Sequence, residues 1–247
     1  ASDQYGNSAT YKFKYRIVDI QAKNSTTENR AVGSTLGNPH DHFKVAESNT
    51  VEKDKYYPTN MQFKWKEFDI RNSRFTDVPD NTRLNEVGTI TKYIATAVFP
   101  GVKNTKEIDR VNYTIYSPIQ KAIPMTFNVK PNTPTISQPQ FNGTAGTRPN
   151  VTVGNLPTNA QLQNGATVTV ELYQGTTKVA SKTVTDRNGT TTLSAENFTA
   201  NLAEGQQVHA VVKVSGGQGA TAYSVNSDNS ENRDVTGYNL VARDIIN

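Results

Sequence analysis

Cysteine is absent from all 247 residues. No disulfide framework and no thiolate metal site can therefore exist. Long apolar runs are absent too: nothing approaches the ~18 to 20 consecutive apolar residues of a membrane helix. The first residues show no basic-then-apolar export signal, and the abundance of Asn, Thr and Ser favours an interior stretch of an exported chain. Tryptophan occurs once, methionine twice and histidine three times. Also missing are a Gly-x-Ser-x-Gly elbow, a phosphate-cradling glycine loop and a His-Glu-x-x-His helix. Nucleophilic hydrolases, nucleotide-binding enzymes and zinc peptidases thus lack their usual scaffolds here. An enzyme is not expected, and no cofactor.

Hydrophobic residues make up only 34% of the chain, and the mean hydropathy is −0.63. What apolar content there is alternates with polar residues, which argues for thin sheets with one wet face rather than for disorder. The pattern is clearest from Gly165 to Ser194. Val168, Val170 and Leu172 alternate with Thr167, Thr169 and Glu171, so one face is dry and the other wet. Gly175 opens a turn, a second Thr/Val-rich stretch runs to Thr185, and Asp186-Arg187-Asn188-Gly189 predicts a tight hairpin through its Asn-Gly pair. After a break at Leu202 to Gly205, Val208, Ala210, Val212 and Val214 alternate again. Thr221 to Val225 is placed to close a small antiparallel sandwich.

Upstream, Tyr11 to Ile17 alternates aromatic or apolar with basic residues and predicts a strand. Gln21 to Pro39 is polar and turn-rich and is read as irregular. Short apolar groups follow at Phe43-Lys44-Val45 and Met61 to Trp65. The charge is unevenly spread: residues 1 to 130 hold 19 basic and 14 acidic residues, residues 131 to 247 hold 7 and 8. A shift of that kind marks a domain boundary. Lys130-Pro131-Asn132-Thr133-Pro134-Thr135 stands at it, and two prolines predict a short, extended connector of limited flexibility. The expected organisation is a first module at 1–130, a linker at 131–135 and a second module with a polar tail at 136–247. The fold class is all-β, two tandem antiparallel β-sandwiches.

Two stretches carry a resemblance. Gly165 to Val214 shows, in order, a Gly-Ala-x-Val-x-Val strand, a glycine turn, an Asp-x-x-Gly turn, a Leu-x-x-Gly turn and a Val-rich strand. That order resembles the bacterial immunoglobulin-like modules of Gram-positive surface proteins. "PTNMQFKWKE", "NEVGTITKYIATAVFPG" and "VNYTIYSPIQKAIPMTFNVKP" are similar to Rib-type repeats, with Val102 to Arg110 inserted in the middle. Together they look like modules of staphylococcal-type cell-wall adhesins, which commonly avoid cysteine. The resemblance implies an extracellular, wall-attached segment that spaces adhesive regions toward host matrix, with sister modules of the same chain as neighbours. It also allows direct binding of a host matrix protein such as fibronectin, or of a polyanionic glycan. Such modules sometimes carry a Lys to Asn side-chain crosslink, but no lysine here sits in an evident core position.

Candidate ligand residues are few. Lys12, Lys14, Arg16, Lys53, Lys55, Lys64 and Lys66 would make a basic stripe for polyanions if their strands were neighbours. Against that stands the ordinary use of lysine to solubilise strands and block edge pairing, and nucleic acid is not expected. His40-Asp41-His42 would aim two imidazoles the same way on an extended strand, but no third ligand accompanies them. Asp228, Glu231 and Asp234 are oxygen-rich without the spacing of a calcium loop. No metal is expected.

Overall fold

The computed structural model describes residues 4–8, 20–45, 61–99, 102–108, 111–116, 119–141 and 148–237. The expected strand Tyr11–Ile17 and the end of the tail lie outside them. Among the described residues the regular elements are strands and short 3-10 turns, so the chain is all-β.

Among the described residues eleven strands precede the proline-containing connector. They are β1 (Ile20–Ala22), β2 (Thr27–Ala31), β3 (Phe43–Val45), β4 (Gln62–Asp69), β5 (Arg74–Val78), β6 (Gly88–Ile90), β7 (Tyr93–Phe99), β8 (Val102–Ile108), β9 (Val111–Tyr116), β10 (Ile119–Pro124) and β11 (Thr126–Lys130). A four-stranded sheet of order β10-β7-β4-β5 packs over a three-stranded one of order β2-β11-β6. Trp65, Ala95, Ala97 and Ile123 of the first sheet meet Phe127, Val129 and Ile90 of the second in a common core. The Trp65 and Phe127 rings lie 6.0 Å apart. Trp65 is fully buried, and its indole N–H donates to the Gly37 carbonyl at 2.8 Å, which satisfies the ring's one polar atom.

One expectation changes in this half. The passage Gln21–Pro39, read as irregular, contains the end of β1 and all of β2, and β2 runs parallel to β11 from Thr27↔Thr126 to Ala31↔Lys130. Its residues Thr-Glu-Asn-Arg-Ala are half-exposed or exposed, so the strand is held by its backbone ladder and leaves no apolar signature. The insertion Val102–Arg110 supplies β8, which pairs with β9 in a separate two-stranded ribbon.

The second sandwich is built from β12 (Thr135–Ile136), β13 (Val151–Gly154), β14 (Thr167–Gln174), β15 (Thr177–Val184), β16 (Thr191–Leu193), β17 (Gln207–Gly216), β18 (Tyr223–Asn226) and β19 (Arg233–Asp234). One sheet has the order β15-β14-β17-β18, with β19 also on β17; the other is β12-β13-β16. Val168, Val170, Leu172, Val208, Ala210, Val212 and Val214 face Val151, Val153 and Leu193, all of them buried. The β14–β15 hairpin turns at Gly175 as expected. The second expected hairpin does not form: β16 leaves β15 and pairs with β13. Asp186–Gly189 is therefore a crossover between sheets, because Leu193 must reach the opposite side of the core. Between β18 and β19 the edge is completed by side chains. The buried Ser227 and Ser230 hydroxyls accept from the Val212 and Ala210 amides at 2.9 and 2.8 Å.

The wet face of β14 holds one exception to exposure. Glu171 has only 4% of its side chain accessible and accepts from Lys178 Nζ at 3.0 Å, Lys213 Nζ at 2.9 Å and the Tyr173 hydroxyl at 3.0 Å. Tyr173 stacks in turn on His209, its cross-strand partner, at 5.5 Å and 9°. Burial pushes the Glu171 carboxyl up, but the hydrogen bonds from Lys213, Lys178 and Tyr173 outweigh it and hold the group below its ordinary 4.5.

Glu171→Gln keeps the shape and removes the charge. It should lower stability near neutral pH by about 1–3 kcal/mol, less than a dry pair because both ammonium groups are roughly half exposed. Since folding depresses this pKa, the charge's contribution is full above the ordinary carboxyl value and is lost as pH falls through the folded one. Urea unfolding of both proteins should therefore show a gap at pH 7 that closes below about pH 4.5.

Candidate functional site

Among the described residues no nucleophile, base and cleft come together; their most constructed feature is the joint between the two sandwiches. The connector is not loose. Pro131 and Pro134 are buried, and between them the Thr133 carbonyl accepts from Asn155 Nδ2 at 2.8 Å. Asn155 holds a left-handed φ of 59°, a conformation that asparagine tolerates better than most residues.

Beside the connector, the loop into β6 meets the segment before β14. The Val87 amide donates to the Gln161 carbonyl at 2.7 Å, and Val87 and Leu162 form a parallel bridge. Gln163 Nε2 donates to the Val87 and Thr89 carbonyls at 3.2 and 3.3 Å. Gly88 sits between these contacts with φ 113°. A Cβ there would lie 2.5 Å from Tyr223 Cε2 and 2.9 Å from Gln163 Nε2, so glycine is required both by φ and by space. The other end of the Tyr223 side chain abuts Gly216, which likewise has no room for a Cβ.

The Tyr223 hydroxyl is buried with no hydrogen-bond partner among the described residues. Burial pushes its pKa up, and the Glu86 carboxylate adds to the shift. At the rim, Lys130 Nζ reaches both Asp228 oxygens at 2.9 and 3.0 Å. That pair is solvent-exposed and contributes on the order of 0.2–1 kcal/mol. The main-chain bonds and the ring against glycine therefore fix the orientation, and the ion pair trims it.

The residues singled out by sequence are placed as follows. Lys64 and Lys66 lie along the outer side of β4 and both bind Asp77 on β5, at 3.3 and 2.6 Å. Asp77 is held below the usual carboxylate range by those two hydrogen bonds, Lys66 first. The five other basic candidates, Lys12, Lys14, Arg16, Lys53 and Lys55, lie outside the described residues. His40 and His42 are on a 3-10 turn, Pro39–His42, not an extended strand. The expected shared orientation of the imidazoles is thereby corrected: His40 packs on Phe63 at 4.6 Å and His42 on Trp65 at 5.1 Å. Burial pushes the His42 imidazole down, against the pull of Glu28 at 3.4 Å. Asp228 binds Lys130 and Asp234 accepts from Gln207 at 3.1 Å, so the acidic tail is spread out. None of the buried described residues is a lysine.

A cleft of about 230 Å³ lined by Arg83, Leu84, Asn85, Glu86, Ile90, Lys92 and Tyr93 lies next to the joint. Two of its ionisable groups are committed: Arg83 donates to the Gly33 carbonyl at 2.7 Å, and Lys92 is paired. Lys92 Nζ is 2.7 Å from Glu67 and 5.4 Å from the Tyr93 ring centre, and burial pushes the Tyr93 hydroxyl up. The joint itself was not visible in sequence, since Gly88 and Tyr223 are 135 positions apart and no local pattern links them.

No family model matches the chain, and no curated protein does. Solved structures that align with it include domains A168–A170 of titin, at 14% identity over 90% of this chain and 66% of that one, with a TM-score of 0.26. The chicken CNTN1 FN1–FN3 domains align at 11% over 88% and 64%, TM-score 0.24. Human CDH23 EC21–23 aligns at 12% over 86% and 73%, TM-score 0.21. The chain spans about two thirds of the length of the first two. Overlaps of this size define no common overall arrangement, and the sandwich character rests on the chain's own strands.

Gly88→Ala should destabilise the protein by about 2–4 kcal/mol, from strain at positive φ plus a clash with Tyr223. Tyr223→Phe should be neutral or stabilise by up to about 1 kcal/mol, because it removes a buried hydroxyl with no partner. Thermal and urea unfolding of the two variants checks both signs.

Proposed function

We propose that this chain is a stiff, non-enzymatic spacer segment of a bacterial cell-wall-attached surface protein. In this reading two sandwich modules, 1–130 and 136–247 with the short 131–135 connector, project adhesive regions toward host extracellular matrix. The observation that carries it is the joint: a main-chain bond from Val87 to Gln161 and a tyrosine ring seated on Gly88 oppose bending at the connector. A free linker would permit it. The ordered strand and turn motifs of Gly165–Val214 and the Rib-like stretches support the surface-protein assignment. They resemble modules of the giant staphylococcal extracellular matrix-binding protein.

Direct capture of a matrix protein or polyanionic glycan is the competing reading. The sharing of Asp77 by Lys64 and Lys66 weakens its glycan form, because the carboxylate already offsets much of that charge.

Two measurements test the proposal. Solution scattering from the chain should be reproduced by one fixed arrangement of the two sandwiches, and a profile requiring a broad set of orientations overturns the stiff spacer. Columns bearing the chain should retain neither fibronectin nor heparin. Saturable retention of either replaces the spacer with a binding module.

A further inference from the structure

Four large hydrophobic side chains are exposed among the described residues: Tyr5, Phe68, Ile70 and Phe75. Three of them belong to one element, the β4–β5 hairpin. Phe68 and Phe75 are cross-strand partners with ring centres 5.2 Å apart, 38% and 46% exposed. Ile70, in the turn, is 83% exposed.

The hairpin stands beyond its sheet. The ladder between β4 and β7 ends at Glu67↔Tyr93, with one more bond from the Phe68 amide to the Lys92 carbonyl. From Asp69 to Arg74 the ribbon has no third strand beside it among the described residues. Its turn is nonetheless built: Asp69 accepts from the Arg71 amide at 2.9 Å and Asn72 Nδ2 at 2.6 Å, and Ser73 takes φ 48°.

Charge follows the same geography. Lys64, Lys66 and Lys92, further back on the sheet, are bound by Asp77 and Glu67. Arg71 and Arg74, at the tip, have no carboxylate partner among the described residues. The Asp69 carboxylate is occupied by the turn itself. A cross-strand aromatic pair stabilises any hairpin, and that alone accounts for Phe68 and Phe75. It does not account for an isoleucine at the apex of an otherwise polar turn, where it buries almost nothing in the folded chain.

We infer that the tip of the β4–β5 hairpin, Phe68, Ile70, Arg71, Arg74 and Phe75, docks on the surface of an anionic lipid bilayer. A narrow projecting ribbon suits shallow insertion: Ile70 enters the boundary between headgroups and acyl chains, the two phenylalanines follow, and the two guanidinium groups meet lipid phosphates. A flat protein partner would be reached by the apex alone, leaving the ring pair uncovered. Anionic charge on the partner is required by the two unpaired arginines.

The test is co-sedimentation of the whole chain with vesicles of phosphatidylcholine, alone or with about 30% phosphatidylserine. The wild type should sediment with the anionic vesicles and much less with the neutral ones. Ile70→Ser should leave the thermal transition unchanged and weaken binding about tenfold, from loss of one inserted aliphatic side chain. Arg71→Glu with Arg74→Glu should remove the preference for phosphatidylserine. No sedimentation with either vesicle, or wild-type binding by Ile70→Ser, overturns the inference. Retention on polyglutamate resin without vesicle binding also overturns it and assigns the tip to an acidic polypeptide.

Discussion

The contact on which the arrangement turns is the approach of the Tyr223 ring to the Gly88 backbone. Everything around it depends on there being no side chain at residue 88. With Cβ excluded, the β6 loop comes close enough for Val87 to bond Gln161 and for Gln163 to bond two carbonyls of the neighbouring loop. Those bonds bring Leu162 against the end of the first sandwich. The apolar cluster then runs without a break from Trp65 and Phe127 to Val170 and Val212. Two sheets on each side of a flexible connector would bury separate cores. Here the glycine lets one core adjoin the other.

The interior of the β14–β17 sheet was legible, because side chains alternate with period two and every buried valine of β14 and β17 obeys that rule. What lay beyond reading was whatever depends on partners distant in sequence. β2 carries no apolar pattern and is specified by the β11 ladder and by Arg30, which donates to the Thr35 and Leu36 carbonyls and lies over the Phe127 ring. The Asn-Gly pair at 188–189 does mark a change of direction, but a local turn signal cannot say whether the next strand returns to the same sheet or crosses to the facing one. Core closure decided it, through Leu193. The two histidines at 40 and 42 failed differently. Their spacing suits a shared ligand only on an extended strand, and Pro39, after the Asn38 cap, starts a 3-10 turn instead.

Several lysines act as internal fasteners. Lys64 and Lys66 share Asp77, Lys92 holds Glu67, Lys130 holds Asp228, and Lys178 with Lys213 enclose Glu171. Three of these four arrangements tie strand to strand or sandwich to sandwich near solvent, where each pair adds little. The exception is Glu171, whose carboxylate is buried by the ammonium stems lying over it. There the hydrogen bonds from Lys213, Lys178 and Tyr173 outweigh the cost of burial and hold the carboxyl below its ordinary pKa. The basic excess of the first 130 residues is thus less available to polyanions than a count suggests.

That accounting isolates the β4–β5 tip. An exposed apolar side chain by itself means little, because folded surfaces carry many. Its meaning comes from contrast with its surroundings. Elsewhere among the described residues every large hydrophobic side chain but Tyr5 is at least partly covered, and the lysines named above are paired. At the tip, two arginines and an isoleucine have neither relation, although the turn is well hydrogen-bonded and so is not a frayed end. A segment that is locally ordered but chemically unsatisfied gains free energy only from something outside the chain. The combination of apolar apex and flanking guanidinium groups specifies what that must offer: an apolar layer a few ångströms beneath an anionic one.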